Sequence, residues 1–515
     1  MKYSLIVFCI FISSQILAQT PDDALRLSWI APSGTARQQA IGGAMGSLGG
    51  EITATFVNPA GLGVYKTSEV VFSPGYYFSK DKSDYLNTST TGMNKGNFNI
   101  GASGFVIGLP GPGTNHATIG IAVNRTANFG GNISYKGQND YSSYSEQFAE
   151  EFANSGLTIE EALNNGSLTY GTRSALYTYL VDTATVGGSL TVIGQPQKVL
   201  AGNGNLLQVN NVATKGGITE IAFALAGNSK DKWMYGITIG VPIVNYTQTT
   251  TFTETDLSGN TNNDFAESTF QQKYTSSGAG VNIKVGGIFV PQPAWRIGLA
   301  VHTPSFYVLT DKVSTAMTTN TEAYAGINSV TSDQLDGGTT GSVKYQLTSP
   351  WRFIGSLSYL FGGGEADVKQ QKGFITADVE YVTTRSSKFG DPKDDNGYNI
   401  YDAGYFDAVN SVVKSYYKNN FNFRLGGEMK FNTFAARAGV AYSMNPYKDT
   451  QLKADRLYVS GGVGYRNKGF FVDLTYVAGF VKDVNFPYRL ADKSNVYAVV
   501  KQTTGTALMT VGLKF

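Results

Sequence analysis

Alternation of side chains is the feature that most constrains how this sequence can fold. Residues 294–302, AWRIGLAVH, place four bulky apolar side chains on one face and small or charged ones on the other: Trp295, Ile297, Leu299 and Val301 against Arg296, Gly298, Ala300 and His302. Residues 422–431 and 469–480 repeat the pattern. A period of two predicts β-strands. Because the sequence offers neither helices nor fully apolar strands to cover so wide an apolar surface, it predicts an all-β transmembrane barrel whose outer face contacts lipid.

The strands can be counted, and they number about fourteen, an even number as in bacterial outer-membrane barrels. We place them near 68–78, 97–109, 117–135, 216–228, 231–255, 264–291, 294–314, 340–361, 369–387, 416–431, 433–445, 456–466, 469–482 and 497–515. Every second connection is short, and the intervening ones, such as 136–215, 315–339 and 388–415, are long and polar. This predicts an antiparallel barrel in a Gram-negative outer membrane, with long external loops and both termini in the periplasm.

The overall composition agrees with a barrel and excludes other classes of protein. The 515 residues carry a net charge of +2, and only 15% of them are charged, so we expect no nucleic acid partner. The mean hydropathy is only -0.14, as expected where alternate residues alone face lipid. No apolar run after the first eighteen residues is long enough for a transmembrane helix.

The two ends of the sequence carry export and assembly signals. Residues 1–18 have a basic start, an apolar run and a small-residue exit, which predicts a secretory signal peptide. The single cysteine, Cys9, lies in this peptide, and Phe8 before it is too large for lipoprotein processing. The closing ALMTVGLKF is an amphipathic strand that ends in Phe515. It resembles the signal that the outer-membrane assembly machinery reads, so we expect that machinery as a partner during biogenesis.

Residues 19–66 precede the first strand and read as a folded plug, which we call the hatch. The middle of this segment, ARQQAIGGAMGSLGGE, is rich in glycine, which permits tight backbone paths. No Lys-Ser or Lys-Thr follows these glycines, so a phosphate-binding loop is a poor interpretation. Because side chains alone do not fill a barrel of this size, we expect the hatch to lie in the lumen, with residues 67–515 forming the barrel.

The hatch sequence ARQQAIGGAMGSLGGEITATFVNPAGLGVY, followed at once by a strand, is similar to the hatch of the long-chain fatty acid transporter (FadL) family. The phrases WRIGLAVHTPSF, SPWRFIGSLSYLF and RLGGEMKF fit the same family, and the leader resembles a Bacteroidetes export signal. The motif carried over is Asn58, Pro59, Ala60 and Gly61. We expect Pro59 and Gly61 to fix the hatch turn, and Asn58 to hold it by hydrogen bonding.

The resemblance implies a monomeric, fourteen-stranded barrel that takes up hydrophobic molecules, such as long-chain fatty acids, by passive diffusion gated by the hatch. The implied exit is sideways into the membrane, where the third strand kinks inward. In this sequence Gly130 and Gly131 lie within the third strand and could break its ladder, or they could simply lie at the base of a loop. Outer-membrane lipids and lipopolysaccharide are the expected surroundings.

The long insertion 136–215 departs from a plain loop because apolar residues recur in it at helical spacing. We expect short helices there, the second one capped by Thr158 or Ser155. By the resemblance, such external helices form an apolar landing groove, here with Phe148, Phe152, Leu157 and Leu163. Alternatively, these side chains pack only on each other in a folded external loop.

We expect no catalytic site, metal site or cofactor in this sequence. Its two histidines, His116 and His302, belong to no triad and no metal-binding motif, and we find no His/Tyr site for haem. Charged residues on inward faces more often form a structural network around a plug than a reactive pair. A guanidinium can also receive a substrate carboxylate, and Arg296 and Arg352 are the candidates for that contact. Two alternative functions stay open: an accessory or shuttle barrel of a secretion system, and a general porin.

Overall fold

The structure is a computed structural model, and it describes the chain in nine segments. These are residues 21–29, 31–113, 115–164, 166–186, 189–338, 341–362, 372–393, 404–450 and 452–515. The predicted signal peptide, residues 1–18, lies outside the described residues.

In the described residues, fourteen antiparallel strands close into one barrel, which confirms the predicted fold class and strand number. They are β1 (Glu69–Phe72 and Pro74–Tyr85), β2 (Lys95–Ile100 and Ser103–Pro110), β3 (His116–Asn128 and Gly131–Asn139), β4 (Leu206–Ser229), β5 (Trp233–Asp256), β6 (Glu267–Gln292), β7 (Trp295–His302 and Phe306–Asn320), β8 (Gly341–Thr348 and Arg352–Phe361), β9 (Gly373–Val382 and Lys388–Gly390), β10 (Asn420–Phe431), β11 (Phe434–Ser443), β12 (Arg456–Asn467), β13 (Phe470–Asn485) and β14 (Ala498–Lys514). Closure is made where β14 pairs with β1, from Glu69 opposite Lys514 to Asp84 opposite Val499.

Short strands extend this architecture outside the barrel wall. Thr88–Thr91 pairs with the end of β1, Ile327–Thr331 pairs with the end of β7, and Val181–Val186 with Ser189–Gly194 forms a separate two-stranded ribbon.

The predicted alternation sets the two faces of the wall. On β7 the outward Leu299 is 66% exposed, whereas the inward Ala300 and His302 are buried. The neighbouring strands repeat this arrangement, so that a band of exposed apolar side chains surrounds the barrel. Such a band on a closed barrel is the architecture of a protein that spans the bacterial outer membrane, because hydrocarbon rather than water contacts that face.

Some strand boundaries differ from the prediction for a physical reason. Strand β4 begins at Leu206 rather than 216, and β3 continues to Asn139, so the insertion predicted at 136–215 shortens to 140–205. In the extension of β3 the outward Lys136 and Gln138 are polar, whereas the outward face of the β4 extension mixes polar and apolar side chains: Leu207, Val209, Asn211, Ala213 and Lys215. The regular apolar alternation used for counting therefore stops there. The predicted start of β10 at 416 is also early, because Tyr405–Tyr416 forms a helix.

The helices lie inside the barrel or at one end of it. They are α1 (Pro21–Arg26), α2 (Ala36–Ala40), α3 (Ala54–Val57), a 3-10 helix (Pro59–Val64), α4 (Glu146–Ser155), α5 (Ile159–Asn164), α6 (Tyr170–Tyr177), α7 (Pro196–Ala201), α8 (Ser332–Leu335), a second 3-10 turn (Thr384–Ser386) and α9 (Tyr405–Tyr416). Among the segments that the structure describes, no helix is long and apolar enough to cross a membrane.

The hatch lies within the lumen, as predicted. Ala36 in α2 donates its backbone N–H to Thr510 Oγ1 of β14 at 2.7 Å and accepts a hydrogen bond from Thr475 Oγ1 of β13 at 2.5 Å. On the far side of the barrel, Ser47 lies 2.6 Å from Ser358 Oγ of β8. Because strands on opposite sides of the barrel hold the same short segment, the hatch crosses the lumen.

Candidate functional site

The barrel wall is interrupted between β2 and β3. These strands pair from Pro110 opposite His116 as far as Ser103 opposite Val123. Beyond this point Lys95–Ile100 of β2 pairs only with β1 among the described strands, and the far half of β3 pairs with β4. Strand β3 itself is broken at residues 129–130.

The far half of β3 bends inward over the inner face of β1. The rings of Tyr85 and Tyr135 lie 4.8 Å apart, and Asn132 donates its backbone N–H to Asp81 Oδ2 at 3.2 Å. Since Asp81 and Tyr85 are buried on the inward face of β1, the bent half of β3 is what covers them. The second strand is therefore left with a free edge beside the break.

The two predicted break residues stand where β3 changes direction. A Cβ on Gly130 would lie 2.8 Å from Asn97 Nδ2, so a larger residue would meet the edge of β2. Gly131 begins the far half of β3, opposite Thr214 of β4. The amides of Asn97 and Asn128 exchange two hydrogen bonds, at 3.3 and 3.2 Å, across the interruption. These two hydrogen bonds connect β2 and β3 across the gap.

The hatch motif forms a capped turn against the wall. Asn58 Oδ1 accepts the N–H of Ala60 at 3.1 Å, and Pro59 occupies the first turn of the 3-10 helix, where its missing N–H costs nothing. The Asn58 amide also donates to Gly46 O at 2.6 Å, within the hatch. Gly61 is packed so closely on Gly49 that its Cβ would lie 2.8 Å from that Cα.

Glycines on the inward face of the wall let the hatch backbone approach the strands directly. A Cβ on Gly236 of β5 would lie 2.5 Å from Pro59 C and 2.7 Å from Ala60 N. Four further wall glycines also face hatch atoms too closely for a side chain: Gly286, Gly298, Gly426 and Gly439. We call these five residues the glycine seat. Gly286 faces the side chain of Asn58, whereas the other four face hatch backbone atoms, which cannot rotate away from a clash as side chains can, so the small size of these residues fits the hatch to the wall.

Buried ion pairs hold the hatch on the side of β10 to β13. Arg37 of α2 donates to both oxygens of Glu428, at 2.9 and 3.2 Å. Arg437 also contacts Glu428, at 2.6 Å, and continues to Asp473 at 2.7 Å. Nearby, Asp378 accepts two backbone N–H groups of the hatch, from residues 45 and 46, at 3.0 and 3.1 Å. The inward charges thus form a network around the hatch, in agreement with the structural interpretation of them.

The Arg296 and Arg352 guanidinium groups are both engaged with the hatch, and they are not adjacent. Arg296 donates to Leu48 O, while Arg352 donates to Ser28 O and pairs with Glu380 at 3.0 Å. Arg352 lies opposite His302, six residues along β7 from Arg296, which corresponds to roughly 20 Å. Each guanidinium could receive a carboxylate only after the hatch carbonyl it binds has moved.

A packed cluster of apolar side chains, which we call the apolar chamber, lies inside the barrel at the level of the break in β3. Its buried wall residues come from several strands: Ala127, Ile218, Val244, Tyr307, Leu309, Val343, Tyr345, Leu347 and Phe389. Phe129, at the break, packs against the same cluster, and Phe406 and Val413 of α9 cover it. The chamber is filled by Ala24, Leu25 and Leu27 of the hatch. An apolar compartment therefore adjoins the interrupted wall, with α1 inside it.

The hatch contains one buried carboxyl with a strongly altered environment. Glu51 accepts hydrogen bonds from Thr53 Oγ1 at 2.8 Å and from Thr35. Burial raises the pKa of Glu51, and the opposing effects of Arg37 and the two hydroxyls do not cancel the rise. The seated hatch therefore binds this proton more tightly than a solvent-exposed glutamate would.

The four predicted groove residues lie in a packed external cap, made of the described part of residues 140–205. Phe148 and Phe152 are buried on α4, and Leu157 and Leu163 are partly buried against the same cluster. This cluster also includes Phe252, Phe270 and Met317 from the ends of β5, β6 and β7. The cap is consequently fastened to the barrel rim, and its apolar side chains pack on the rim as well as on each other.

Local signals explain the cap helices. Helix α4 ends at Gly156 with φ +67, the left-handed conformation that favours glycine after a helix. Thr158, one of the two predicted caps, accepts the N–H of Glu161 at 3.3 Å, and the Glu161 carboxylate returns to the Thr158 N–H at 2.9 Å. At the cap's edge, burial and Asp336 raise the pKa of Tyr170 to about 12.

Several residues of the site were not predicted from the sequence. Arg37 has no acidic residue near it in the sequence that would indicate its ion pair. The wall glycines are recognisable in the sequence only as small inward residues, not as contacts of the hatch. The two histidines also contact the hatch, His116 at Gly63 O (2.7 Å) and His302 at Val57 O (2.8 Å). Within the described segments, no three His, Cys, Asp or Glu side chains are grouped as a metal ion would need.

Comparison with known proteins identifies the class of fold. No protein-family profile matches the sequence, and a search of curated proteins finds no match. Among solved structures, a Pseudomonas aeruginosa FadL homologue is 12% identical, with a TM-score of 0.53 over 95% of this chain and 100% of that chain. A deltaS2 mutant of the TodX monoaromatic hydrocarbon channel is 10% identical, with a TM-score of 0.50 over 95% of this chain and 100% of that chain.

The chain is thus a fourteen-stranded outer-membrane-type barrel with an internal hatch. More particularly, it has the fold of FadL-type channels, which confirms the predicted resemblance at the level of structure. At these sequence identities the comparison shows the fold alone.

Proposed function

We propose that this protein transports hydrophobic small molecules, of the long-chain fatty acid kind, across the bacterial outer membrane. The solute enters from the end that carries the cap and α9, reaches the apolar chamber, and leaves sideways through the gap between β2 and β3. Movement is passive diffusion, gated by the hatch, and needs no cofactor. The ends of the chain lie on the periplasmic side, and the long loops lie outside.

The observation that carries this proposal is the contact between the chamber and the break. Ala127 and Phe129 belong to the chamber cluster and also stand within four residues of Gly130. A solute in the chamber would therefore lie beside the free edge of Lys95–Ile100. Transfer of an apolar solute from this compartment directly to lipid avoids exposure to water, and burial of apolar surface is worth about 25 cal/mol per Å².

The hatch supplies the gate because α1 occupies the chamber. Leu25 and Leu27 fill space that a solute would need, and Arg352 holds the chain just beyond them at Ser28 O. Displacement of α1 frees both the apolar lining and the Arg352 guanidinium, which could then receive a carboxylate. The glycine seat and the ion pair of Arg37 with Glu428 keep the lower part of the hatch in place, so the upper part is the moving one.

The similar structures support this solute class. One of them is a channel for monoaromatic hydrocarbons, which are apolar molecules, and the other is a FadL homologue. For this chain we accordingly propose a monomeric barrel of residues 67–515 around a hatch of residues 19–66, after removal of a signal peptide of residues 1–18. Lipopolysaccharide and outer-membrane lipids would surround it, and the assembly machinery would insert it.

A reversible tether tests the gate. Ser28 Oγ and Ser387 Oγ lie 3.3 Å apart, so S28C/S387C should form a disulfide that fixes α1 in the chamber. The variant is expressed in cells that lack their own fatty acid transporter, and uptake of labelled oleate is measured before and after reduction. We expect uptake to be lost in the oxidised protein and restored by reductant.

The matched control places the same chemistry away from the hatch. Thr318 Oγ1 and Ser329 Oγ lie 2.8 Å apart in an exposed external hairpin, so T318C/S329C should cross-link without loss of uptake. Uptake that persists in the oxidised S28C/S387C protein would refute gating by α1. Absence of oleate uptake in the unmodified, folded barrel would exclude long-chain fatty acids and favour the accessory role in secretion. Ion conductance that the tether does not change would favour a porin.

A further inference from the structure

Two cationic side chains on the outer face of the barrel lie just where the apolar band ends. Along β4 the outward residues Leu225, Phe223 and Ile221 are exposed and apolar, and they are followed by Thr219, Gly217 and Lys215. On β5 the last exposed apolar residue is Ile243, and the next outward residue is Asn245. Because Thr219 lies opposite Ile243, and Gly217 opposite Asn245, the change from apolar to polar is level across the strands.

Arg125 of β3 reaches this boundary from the side of the gap. It lies opposite Thr219, two residues beyond the last pair that joins β2 to β3. Its guanidinium covers the outer face of Gly217, where an added Cβ would lie 2.5 Å from Nη2 and 2.8 Å from Cζ. The missing side chain at Gly217 is thus what makes room for the charged group.

Neither cation is neutralised within the described part of the chain. Arg125 Nε is buried without a hydrogen-bond partner, although the residue as a whole is partly exposed. Lys215 is exposed and forms no ion pair with a described residue. Charged side chains on the lipid face of a barrel are costly at mid-depth and cost little near the interface, so this level suits an unpaired cation.

A polar pocket opens beside Lys215 on the same level. Its volume is about 270 Å³, and its lining is formed by Lys215, Gly216, Asn245, Tyr246, Thr247, Thr275, Ser276 and Ser277. Lys215 lies opposite Thr247, which in turn lies opposite Thr275. Hydroxyl and amide donors therefore stand next to the ammonium group, and no carboxylate is among the lining residues.

We propose that Arg125 and Lys215, with the hydroxyl-lined pocket beside them, bind the phosphate of an outer-leaflet lipid headgroup. The guanidinium and the ammonium supply charge, and the threonine and serine hydroxyls complete the hydrogen bonds to a tetrahedral anion. Lipid headgroups occupy this level of the membrane, where basic residues attract anionic lipids. A lipid held here stands next to the free edge of β2 and would line the outer mouth of the gap. The choice of leaflet rests on the orientation proposed above.

The test measures lipid retention on the purified, full-length protein by native mass spectrometry. The probes are diphosphoryl lipid A, dephosphorylated lipid A, phosphatidylglycerol and oleate, and folding is checked by gel mobility. Because hydrogen bonds to charged groups are about twice as strong as neutral ones, the wild type should prefer the diphosphoryl form by at least about tenfold. R125Q/K215Q should lose this preference, whereas the control K230Q/K232Q, at the short β4–β5 turn, should keep it.

The other outcomes overturn the proposal in distinguishable ways. Equal retention of both forms of lipid A by the wild type would exclude a phosphate site. Retention of phosphatidylglycerol in place of lipid A would overturn the assignment to the outer leaflet. Loss of oleate retention alone in R125Q/K215Q would assign the two cations to the solute carboxylate instead. Since uptake of oleate by cells is measured separately, failure of the transport proposal is not confused with failure of this one.

Discussion

Replacement of Gly236 by alanine should unseat the hatch turn. The added Cβ would lie 2.5 Å from Pro59 C, 2.6 Å from Pro59 O and 2.7 Å from Ala60 N. Ordinary contact needs about 3.5 Å, so the wall and the hatch must separate by roughly 1 Å. The hatch cannot give way by rotating a side chain, because all three atoms belong to its backbone.

The cost follows from what this separation disturbs. Overpacking of a close-packed site costs about 1–3 kcal/mol, which corresponds to an approximately 5–150-fold increase in the equilibrium constant for opening of the hatch. Within the hatch, a shift of Pro59 also strains the hydrogen bonds from Ala60 N to Asn58 Oδ1 and from Gly61 N to Asn58 O, at 3.1 and 2.9 Å. Both effects act in the direction of opening.

Hydrogen exchange of residues 21–66 in detergent-solubilised protein measures this change, because amide protection follows local opening. G287A is the matched control, since a Cβ at the neighbouring outward-facing Gly287 would meet no atom closer than 3.9 Å. We expect protection of the hatch to fall in G236A and to stay unchanged in G287A, with the strands protected in both. Equal protection of the hatch in the two variants would show that the glycine seat is not close-packed, and the reasoning would fail.

Three further predictions concern charge, the cap and pH. E428Q should lower the stability of the barrel by about 3–5 kcal/mol, because it removes the buried carboxylate that Arg37 and Arg437 share and leaves Arg437 with Asp473 alone. K66Q at an exposed pair should change the stability by less than about 1 kcal/mol. Heat-dependent gel mobility distinguishes the two variants, and equal shifts would contradict the network. F152A should cost about 3–5 kcal/mol of cap stability and expose the external loops to protease with the barrel intact, unlike L190A at a 75% exposed side chain; identical digestion would contradict a packed cap. Burial raises the pKa of Glu51, so the carboxyl proton of Glu51 is bound more tightly in the seated hatch than in the unseated chain. Protection of the hatch from hydrogen exchange should therefore fall as the pH rises through that pKa, and E51Q should abolish this trend. A trend that persists in E51Q would assign the pH dependence to another group.

Much of the barrel could be predicted from the sequence, because the alternation of side chains within each strand indicates which of them face lipid. The prediction is weakest where this alternation stops. The sequence pattern predicts a loop at residues 206–215 because polar and apolar side chains are mixed on both faces there, yet these residues continue β4 beyond the apolar band. The sequence pattern predicts a loop at 388–415 and a strand from 416, whereas Tyr405–Tyr416 forms a helix.

The candidate site was only partly predictable. The turn at Asn58 to Gly61 could be predicted, because its cap and its proline act over neighbouring residues. The alternation correctly predicts that Arg296 and Arg352 face inward. It does not show that both guanidinium groups donate hydrogen bonds to hatch carbonyls. Phe148 and Phe152 were recognised as apolar and helical, while their packing on the ends of β5 and β6 depends on residues about a hundred positions away.

The alternating faces, the number of strands and the compact segment before them are all predictable from the sequence, because they follow from interactions within a few residues of each other. Only the tertiary structure decided that β3 leaves β2 after Val123, that Arg37 meets Glu428, and that Arg125 lies over Gly217. Closure of the barrel brings such distant residues together, and the register and bend of each strand decide which of them touch. A local pattern determines which way a side chain faces, whereas the closed barrel determines which residues it contacts.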